Sequence, residues 1–189
     1  LRLLAEQGVR GVLVTPMSTT KERLASLRSL GIPSVLMDAS SRSHAAVGVD
    51  HVSGGRQAIA HLLAQGHRSI AYLAGRADLQ QTRHRLKGAI EAIQAAGLEP
   101  HEVLRVLNLP NLTAADGEQG MREILASGAR PTAVFCMNDI VALGAMREIR
   151  AHGLSIPADL AVVGYDDLYF AAELMTPLTS VRQPMRQLG

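Results

Sequence analysis

The stretch that decides the fold reads Pro131-Thr-Ala-Val-Phe-Cys-Met-Asn-Asp139, continues in a helical pattern to Gly153, and resumes as Leu154-Ser-Ile-Pro-Ala-Asp-Leu-Ala-Val-Val-Gly-Tyr-Asp-Asp167. Its apolar runs at residues 133–136 and 160–163 are typical of buried strands, and the segment between them has helical periodicity. The stretch therefore predicts a strand, a helix and a second strand that lies parallel to the first.

Both predicted strands of this stretch are followed by polar side chains. Asn138 and Asp139 follow the first strand, and Asp166 and Asp167 follow the second. In an open parallel sheet, ligands bind beyond the carboxyl ends of neighbouring strands. The sequence therefore predicts a cleft lined by hydrogen-bond acceptors, suited to a small polyhydroxylated or amine-bearing molecule.

The rest of the chain repeats this alternation of strand and helix. Short runs of Val, Leu, Ile and Ala are separated by helical patterns, one of them marked by Leu24, Leu27 and Leu30. The pattern predicts an α/β fold with parallel sheets flanked by helices. A lobe boundary is expected near Asp50, where a new series of units begins. The predicted strands are residues 12–15, 35–38, 46–49, 70–74, 103–107, 133–136, 160–163 and 178–181.

Four glycines are predicted to end helices. Gly31, Gly66, Gly97 and Gly153 each come just after a helical pattern. A left-handed residue commonly closes a helix at this position, and glycine adopts that conformation without steric cost.

Composition excludes several classes of protein. The chain has 189 residues, of which 47% are hydrophobic, so it can bury a substantial core, and its net charge of +2 is too small for a nucleic-acid-binding surface. The single cysteine, Cys136, excludes a disulfide framework and favours a reducing cytoplasm. The sequence has no apolar run that spans a bilayer and no signature of a nucleophile elbow, dinucleotide fold, phosphate loop or zinc site. We therefore expect neither an enzyme nor a metal site, a cofactor or a membrane partner.

Five segments, in this order along the chain, carry a resemblance to a known family. They are DHVSGGR at residues 50–56, AHLLAQGHRSIAYLAG at 60–75, RHRLKG at 83–88, the deciding stretch at 131–167, and PLTSVRQP at 177–184. Together they resemble the effector-binding domain of LacI/GalR-type transcriptional regulators.

The resemblance implies a type I periplasmic-binding-protein-like fold with two lobes. Residues 1–50 and 183–189 would form the N-terminal lobe and residues 51–182 the C-terminal lobe, in a chain truncated at both ends. The DNA-binding headpiece of the family is expected to be absent from this chain. The resemblance further implies a cytoplasmic homodimer whose affinity for operator DNA changes when a sugar or related metabolite binds between the lobes. The alternative is a periplasmic solute-binding receptor for transport or chemotaxis.

Arg85 is the first candidate for an effector contact. It matches the family arginine that reaches into the cleft, and its planar fork of donors suits hydroxyl pairs, carboxylates and phosphates. Arg83, Arg85 and Lys87 are expected in the first turn of a helix, where positive charge opposes the helix dipole. The alternative is a solvated basic face, which we favour for Arg83 and Lys87.

Asn138 and Asp166 are candidate contacts at the strand ends. Their counterparts in similar regulators provide an amide and a hydroxyl acceptor to the effector. The alternative for each is a local turn or helix cap. Asp139 is predicted to be the N-cap of the helix that follows, and Asp167 to support its loop.

Four further candidates complete the predicted effector site. Asp38 and Thr15 end strands of the N-terminal lobe and should look toward the cleft. Asp50 either caps the helix that follows it or faces the cleft. Gln183 would lie at a lobe crossing, where it contacts the effector or makes a hinge hydrogen bond.

Aromatic residues depart from the pattern of sugar-binding relatives, which usually stack a ring on the sugar. This chain has no Trp, and Val49, Leu112 and Met185 occupy positions where relatives often place that ring. Tyr165, Tyr169 and Phe170 surround the Asp166 loop and could substitute, whereas Tyr72 and Phe135 are predicted to be core.

Overall fold

The computed structural model describes residues 7–15, 25, 29, 31–39 and 41–188. Leu24, Leu27 and Leu30, which mark one predicted helix, lie outside the described residues. The chain divides into two compact units, one formed by Leu1–Asp50 with Pro184–Gly189 and the other by His51–Gln183, so Gln183 falls in the larger unit.

Strands and helices alternate along most of the larger unit. The strands are β1 Val12–Val14, β2 Ser34–Met37, β3 Ala45–Val47, β4 Ile70–Ala74, β5 Leu104–Asn108, β6 Ala133–Cys136, β7 Ala161–Asp166 and β8 Thr179–Arg182. The helices are α1 His51–Ala64, α2 Gln80–Ala95, α3 Pro100–Val103, α4 Ala114–Ala126, α5 Asp139–Ala151 and α6 Met185–Leu188. The predicted α/β class with parallel sheets is confirmed.

The smaller unit contains a three-stranded parallel sheet in the order β1-β2-β3. Val14 pairs with Leu36, which in turn pairs with Ala46. Thr15 follows β1 and Asp38 follows β2, so both lie at the carboxyl edge of this sheet.

The larger unit contains a five-stranded parallel sheet in the order β5-β4-β6-β7-β8. Strands β4 and β6 are buried throughout, whereas the edge strands β5 and β8 are partly exposed. Strands β6 and β7 pair in parallel as neighbours, as the stretch at residues 131–167 predicts. Their carboxyl ends lie side by side, which brings the polar residues after them to one edge.

Helices cover both faces of the larger sheet. The apolar residues of α1 and α2 pack with Tyr72 and Phe135 on one face. The rings of Tyr72 and Phe135 stack there with their centroids 4.6 Å apart. Those of α4 and α5 pack with Leu73 and Cys136 on the other face. Alternate residues of the central strands thus pack into two hydrophobic cores, one on each face of the sheet. The predicted core positions of Tyr72 and Phe135 are confirmed.

Helix ends follow local chemistry. The four predicted glycines, Gly31, Gly66, Gly97 and Gly153, all have φ between 64° and 89°. Helix α4 begins with a capping box, in which Thr113 accepts a hydrogen bond from the Asp116 amide and Asp116 accepts one from the Thr113 amide.

A buried carboxylate joins α4 to α5. Glu148 accepts two hydrogen bonds from Arg122, of 2.8 Å from Nε and 2.7 Å from Nη2. The Arg122 guanidinium holds the pKa of Glu148 below its ordinary value of 4.5, against the opposing effect of desolvation. Such a bidentate pair fixes the relative position of the two helices.

The Glu148 pair predicts a pH-dependent contribution to stability. Because the folded-state pKa is depressed, the contribution is fully present above the unfolded value near 4.5 and is lost as pH falls through the folded value. Glu148→Gln should therefore lower the melting temperature at pH 7, and the difference from the unsubstituted protein should shrink toward pH 3. The control is Glu118→Gln, which removes an exposed pair with Arg147 and should change little. A pH-independent difference would contradict this account.

Candidate functional site

Three predicted site residues meet at the carboxyl edge of the larger sheet. Asp166 is the last residue of β7, Gln183 follows β8, and Arg85 reaches this edge from α2. Gln183 Nε2 donates to Asp166 Oδ1 at 2.5 Å, and Arg85 Nη2 lies 3.9 Å from the same oxygen. The Asp166 side chain keeps 24% of its surface exposed, so a solute can reach it.

Arg85 is held on several sides. It is 4% exposed, its Nη1 donates to the Met137 carbonyl, and its guanidinium carbon lies 3.5 Å from the centroid of the Tyr165 ring. A guanidinium over an aromatic face at this distance is a cation–π contact. Arg85 is therefore a fixed donor group with a defined orientation.

The expectation that Arg85 lies in the first helical turn is wrong. Helix α2 begins at Gln80, so Arg85 is its sixth residue and lies beyond the reach of the terminal dipole. Arg85 differs from Arg83 and Lys87 in its tertiary contacts, and not in an unfavourable position relative to the helix dipole. Arg83 and Lys87 are exposed, as predicted for a solvated face.

Asn138, rather than Asp139, caps the helix that follows β6. The N-cap of α5 is Asn138, whose Oδ1 accepts a hydrogen bond from the Val141 amide at 2.8 Å. The prediction that Asp139 is the N-cap is therefore wrong. Both residue types cap helices well, so the tertiary environment makes the choice.

Asp139 is a buried acceptor that ties three segments together. Its carboxylate accepts hydrogen bonds from Ser180 Oγ at 2.6 Å and from the Leu168 amide at 2.8 Å. Burial raises the pKa of Asp139, and these donors partly offset that effect. A Cβ at Gly164 would lie 2.2 Å from Asp139 Oδ1, so the carboxylate fills the space that glycine leaves.

The site edge contains aspartates in an uncommon backbone conformation. Asp166 has φ of 107° and Asp167 has φ of 54°, and Asp38 at the edge of the smaller sheet has φ of 53°. Positive φ is unfavourable for residues with a side chain, although Asp tolerates it better than most. Asp167 supports its loop as predicted, through hydrogen bonds with Ser180 and Arg182.

His51 is a further candidate, which the sequence analysis did not single out. It begins α1, is 3% exposed, and its Nδ1 lies 3.4 Å from Arg85 Nε and 3.3 Å from the Tyr165 hydroxyl. The sequence signal for it is the Gly54-Gly55 pair one turn later, which permits close approach to this helix.

Three predicted site residues belong to the smaller unit. Thr15 and Asp38 occupy the carboxyl edge of its sheet, with Thr15 exposed and Asp38 half-buried. Asp50 is exposed and directly precedes His51, the first residue of α1.

The aromatic residues divide between core and surface. Tyr165 is 1% exposed and its ring lies against Arg85, while Tyr169 is 91% exposed and contacts Phe170 edge to face. Met185 is largely exposed, and Leu112 packs against both cores of the larger unit.

The described part of the chain offers no alternative chemistry of the common kinds. Among those residues no group of three His, Cys, Asp or Glu side chains could hold a metal ion. Burial raises the pKa of the Cys136 thiol, which disfavours the reactive thiolate. No helix within the described ranges has the length and apolar character required to cross a bilayer.

A concavity lies at the opposite edge of the larger sheet. It has a volume of about 390 Å³ and lies near the amino ends of β6 and β7 and the carboxyl ends of α4 and α5. Its polar groups are Arg130, His152 and Asp159, and its apolar lining includes Leu125 and Leu160. None of the predicted site residues lines it.

Comparison with known proteins gives a consistent family. Residues 59–189 match the periplasmic binding protein-like domain family. The chain is 37% identical to the HTH-type transcriptional regulator CelR of Thermobifida fusca over 98% of its length, and 34% identical to the HTH-type transcriptional repressor PurR of Pasteurella multocida over 100%. It spans 55% and 57% of these two curated relatives, which is little more than half of each.

Solved structures agree with this result. A LacI-family transcriptional regulator from Enterococcus faecium with bound ribose superposes with a TM-score of 0.88 at 30% identity, over 98% of this chain and 69% of that one. A complex of the regulator CelR with cellobiose superposes with a TM-score of 0.86 at 36% identity, over 99% of this chain and 58% of that one. The chain therefore belongs to the LacI family of transcriptional regulators and carries its periplasmic binding protein-like domain.

Proposed function

We propose that this chain is the effector-sensing part of a DNA-binding transcriptional regulator and that its effector is a sugar or a related metabolite. The observation that supports this most directly is the pairing of Arg85 with Asp166 at the carboxyl edge of the larger sheet. A sugar hydroxyl both donates and accepts hydrogen bonds, so a guanidinium beside a carboxylate can bind adjacent hydroxyls.

Each predicted contact residue has a role in this proposal. Arg85 donates to effector hydroxyls, Asp166 accepts from them, and Gln183 orients Asp166 through its 2.5 Å hydrogen bond. Asn138 contributes its amide NH2 group, since its Oδ1 caps α5. Thr15, Asp38 and Asp50 contribute further polar contacts from the smaller unit.

The proposal extends to the assembly in which this chain works. It would act in the cytoplasm as a homodimer that carries a DNA-binding headpiece, and effector binding would change operator affinity because it favours one of two conformations. It would not act as an enzyme. The regulators CelR and PurR support this proposal over a periplasmic solute receptor.

The test uses the full-length protein and two sugars found in related structures, cellobiose and ribose. Genomic DNA fragments that the protein retains are selected first, and their affinity is then measured with and without each sugar. We expect at least one sugar to change that affinity. A protein that retains no DNA, or DNA affinity that stays constant while calorimetry shows a sugar bound, would contradict the proposed regulator.

Asp166→Asn should weaken the binding of the sugar by about tenfold, because a charge-assisted hydrogen bond becomes a neutral one. Asparagine is the appropriate replacement because it tolerates the positive φ of this position. Asp167→Asn is the matched control, since Asp167 bonds to Ser180 and Arg182 and also has a positive φ. Calorimetric titration measures both. Equal affinities in the two variants would remove Asp166 from the site.

A further inference from the structure

Two buried side chains that the proposed function does not use contact Arg85. His51 Nδ1 lies 3.4 Å from both Nε and Nη2 of Arg85, and the Tyr165 ring lies against the guanidinium. The Tyr165 hydroxyl is also 3.3 Å from His51 Nδ1. His51 and Tyr165 are 3% and 1% exposed, so water competes little for these contacts.

Chemistry fixes the hydrogen-bonding direction between His51 and Arg85. A guanidinium has five N–H donors and no acceptor. His51 Nδ1 must therefore accept, which places the proton of the neutral ring on Nε2. Two Arg85 donors are directed at His51 and one at the Met137 carbonyl. The other two belong to Nη1 and Nη2, of which Nη2 lies 3.9 Å from Asp166 Oδ1.

The start of α1 is shaped for this contact. A Cβ at Gly54 would lie 2.1 Å from the Tyr165 hydroxyl, and a Cβ at Gly55 would lie 2.0 Å from the Arg85 carbonyl oxygen. Two adjacent glycines thus allow the first turn of α1 to approach both partners of His51.

We propose that His51 is a positioning residue for effector binding. As a neutral acceptor, its Nδ1 fixes the rotation of the Arg85 guanidinium so that the remaining donors of the terminal nitrogens face the effector beside Asp166. This inference rests on the proposed function, because it assumes that Arg85 binds the effector and explains how Arg85 is oriented to do so.

The test compares three variants of the full-length protein. His51→Leu removes the acceptor, His51→Asn keeps an oxygen close to the position of Nδ1, and His61→Leu is the control, since His61 is an exposed histidine of the same helix. Calorimetry with cellobiose and ribose gives affinity, and nitrogen-15 NMR of the Arg85 Nε–H group, assigned by its loss in Arg85→Lys, reports the orientation. We expect His51→Leu to weaken sugar binding about tenfold and to shift the Arg85 signal, and His51→Asn to restore both.

The possible outcomes separate this inference from the proposed function. Unchanged affinity in His51→Leu, or affinity in a folded His51→Asn as weak as in His51→Leu, would overturn the positioning role. If the unsubstituted protein binds neither sugar, the proposed effector class is contradicted. The NMR measurement still tests the inference in that case, because an unshifted Arg85 signal in His51→Leu would overturn the positioning role of His51. If His51→Leu does not fold, His51→Ala replaces it, because alanine also removes the acceptor.

Discussion

Arg85→Ala is expected to reduce the affinity for the effector by about 100-fold or more, since it removes several charge-assisted hydrogen bonds at once. Arg85 is buried and its guanidinium is oriented by Met137 and Tyr165, so little reorganisation precedes binding. Calorimetric titration of the full-length protein with cellobiose and with ribose measures the loss.

Two comparisons make this result specific. Arg83→Ala is the matched control, because Arg83 is an exposed arginine of the same helix that donates to the backbone carbonyls of Ala77 and Asp78. Arg85→Lys keeps the charge but loses the planar fork, and it should bind nearly as weakly as the alanine variant. Equal affinities in Arg85→Ala and Arg83→Ala would exclude Arg85 from the effector site.

Gly88→Ala is expected to lower the free energy of unfolding by about 3 kcal/mol, among the larger effects of a single substitution. The added Cβ would lie 1.9 Å from the Val52 carbonyl oxygen and 2.8 Å from the Arg56 amide, both backbone atoms of α1. Backbone atoms cannot relieve the clash by changing a side-chain rotamer, so α1 and α2 must move apart. The higher helix propensity of alanine offsets only about 1 kcal/mol.

Urea unfolding measures this effect through the transition midpoint at constant slope. Gln94→Ala is the control, because Gln94 is an exposed residue of the same helix and its replacement should change stability by less than about 0.5 kcal/mol. A midpoint in Gly88→Ala equal to or above that of the control would show that α1 and α2 are not in close backbone contact.

Local sequence patterns predicted most of the larger unit because its strands are short, apolar and separated by helices. The predicted bounds of β4 and β6 agree with the structure residue for residue. Strand β7 continues three residues beyond its predicted end at residue 163. Gly164 suggests a strand end in the sequence, yet it continues the strand because the Asp139 carboxylate occupies the space beside it.

Residues that depend on distant partners could not be assigned in this way. Asn138 rather than Asp139 caps α5, because Ser180, 41 positions later, provides a partner for Asp139. The contacts of His51 could not be predicted from local sequence, because its partners Arg85 and Tyr165 are 34 and 114 positions away. Arg85 was predicted as an effector contact from the family resemblance, and Asp166 from that resemblance together with its place at the end of a strand.

The most direct test of the central proposal is a crystal structure of the protein with whichever of cellobiose and ribose binds more tightly. The proposal predicts sugar hydroxyls within hydrogen-bonding distance of the Arg85 guanidinium and the Asp166 carboxylate. Sugar bound instead in the concavity near Arg130 and His152, with Arg85 and Asp166 making no contact to it, would contradict the proposal.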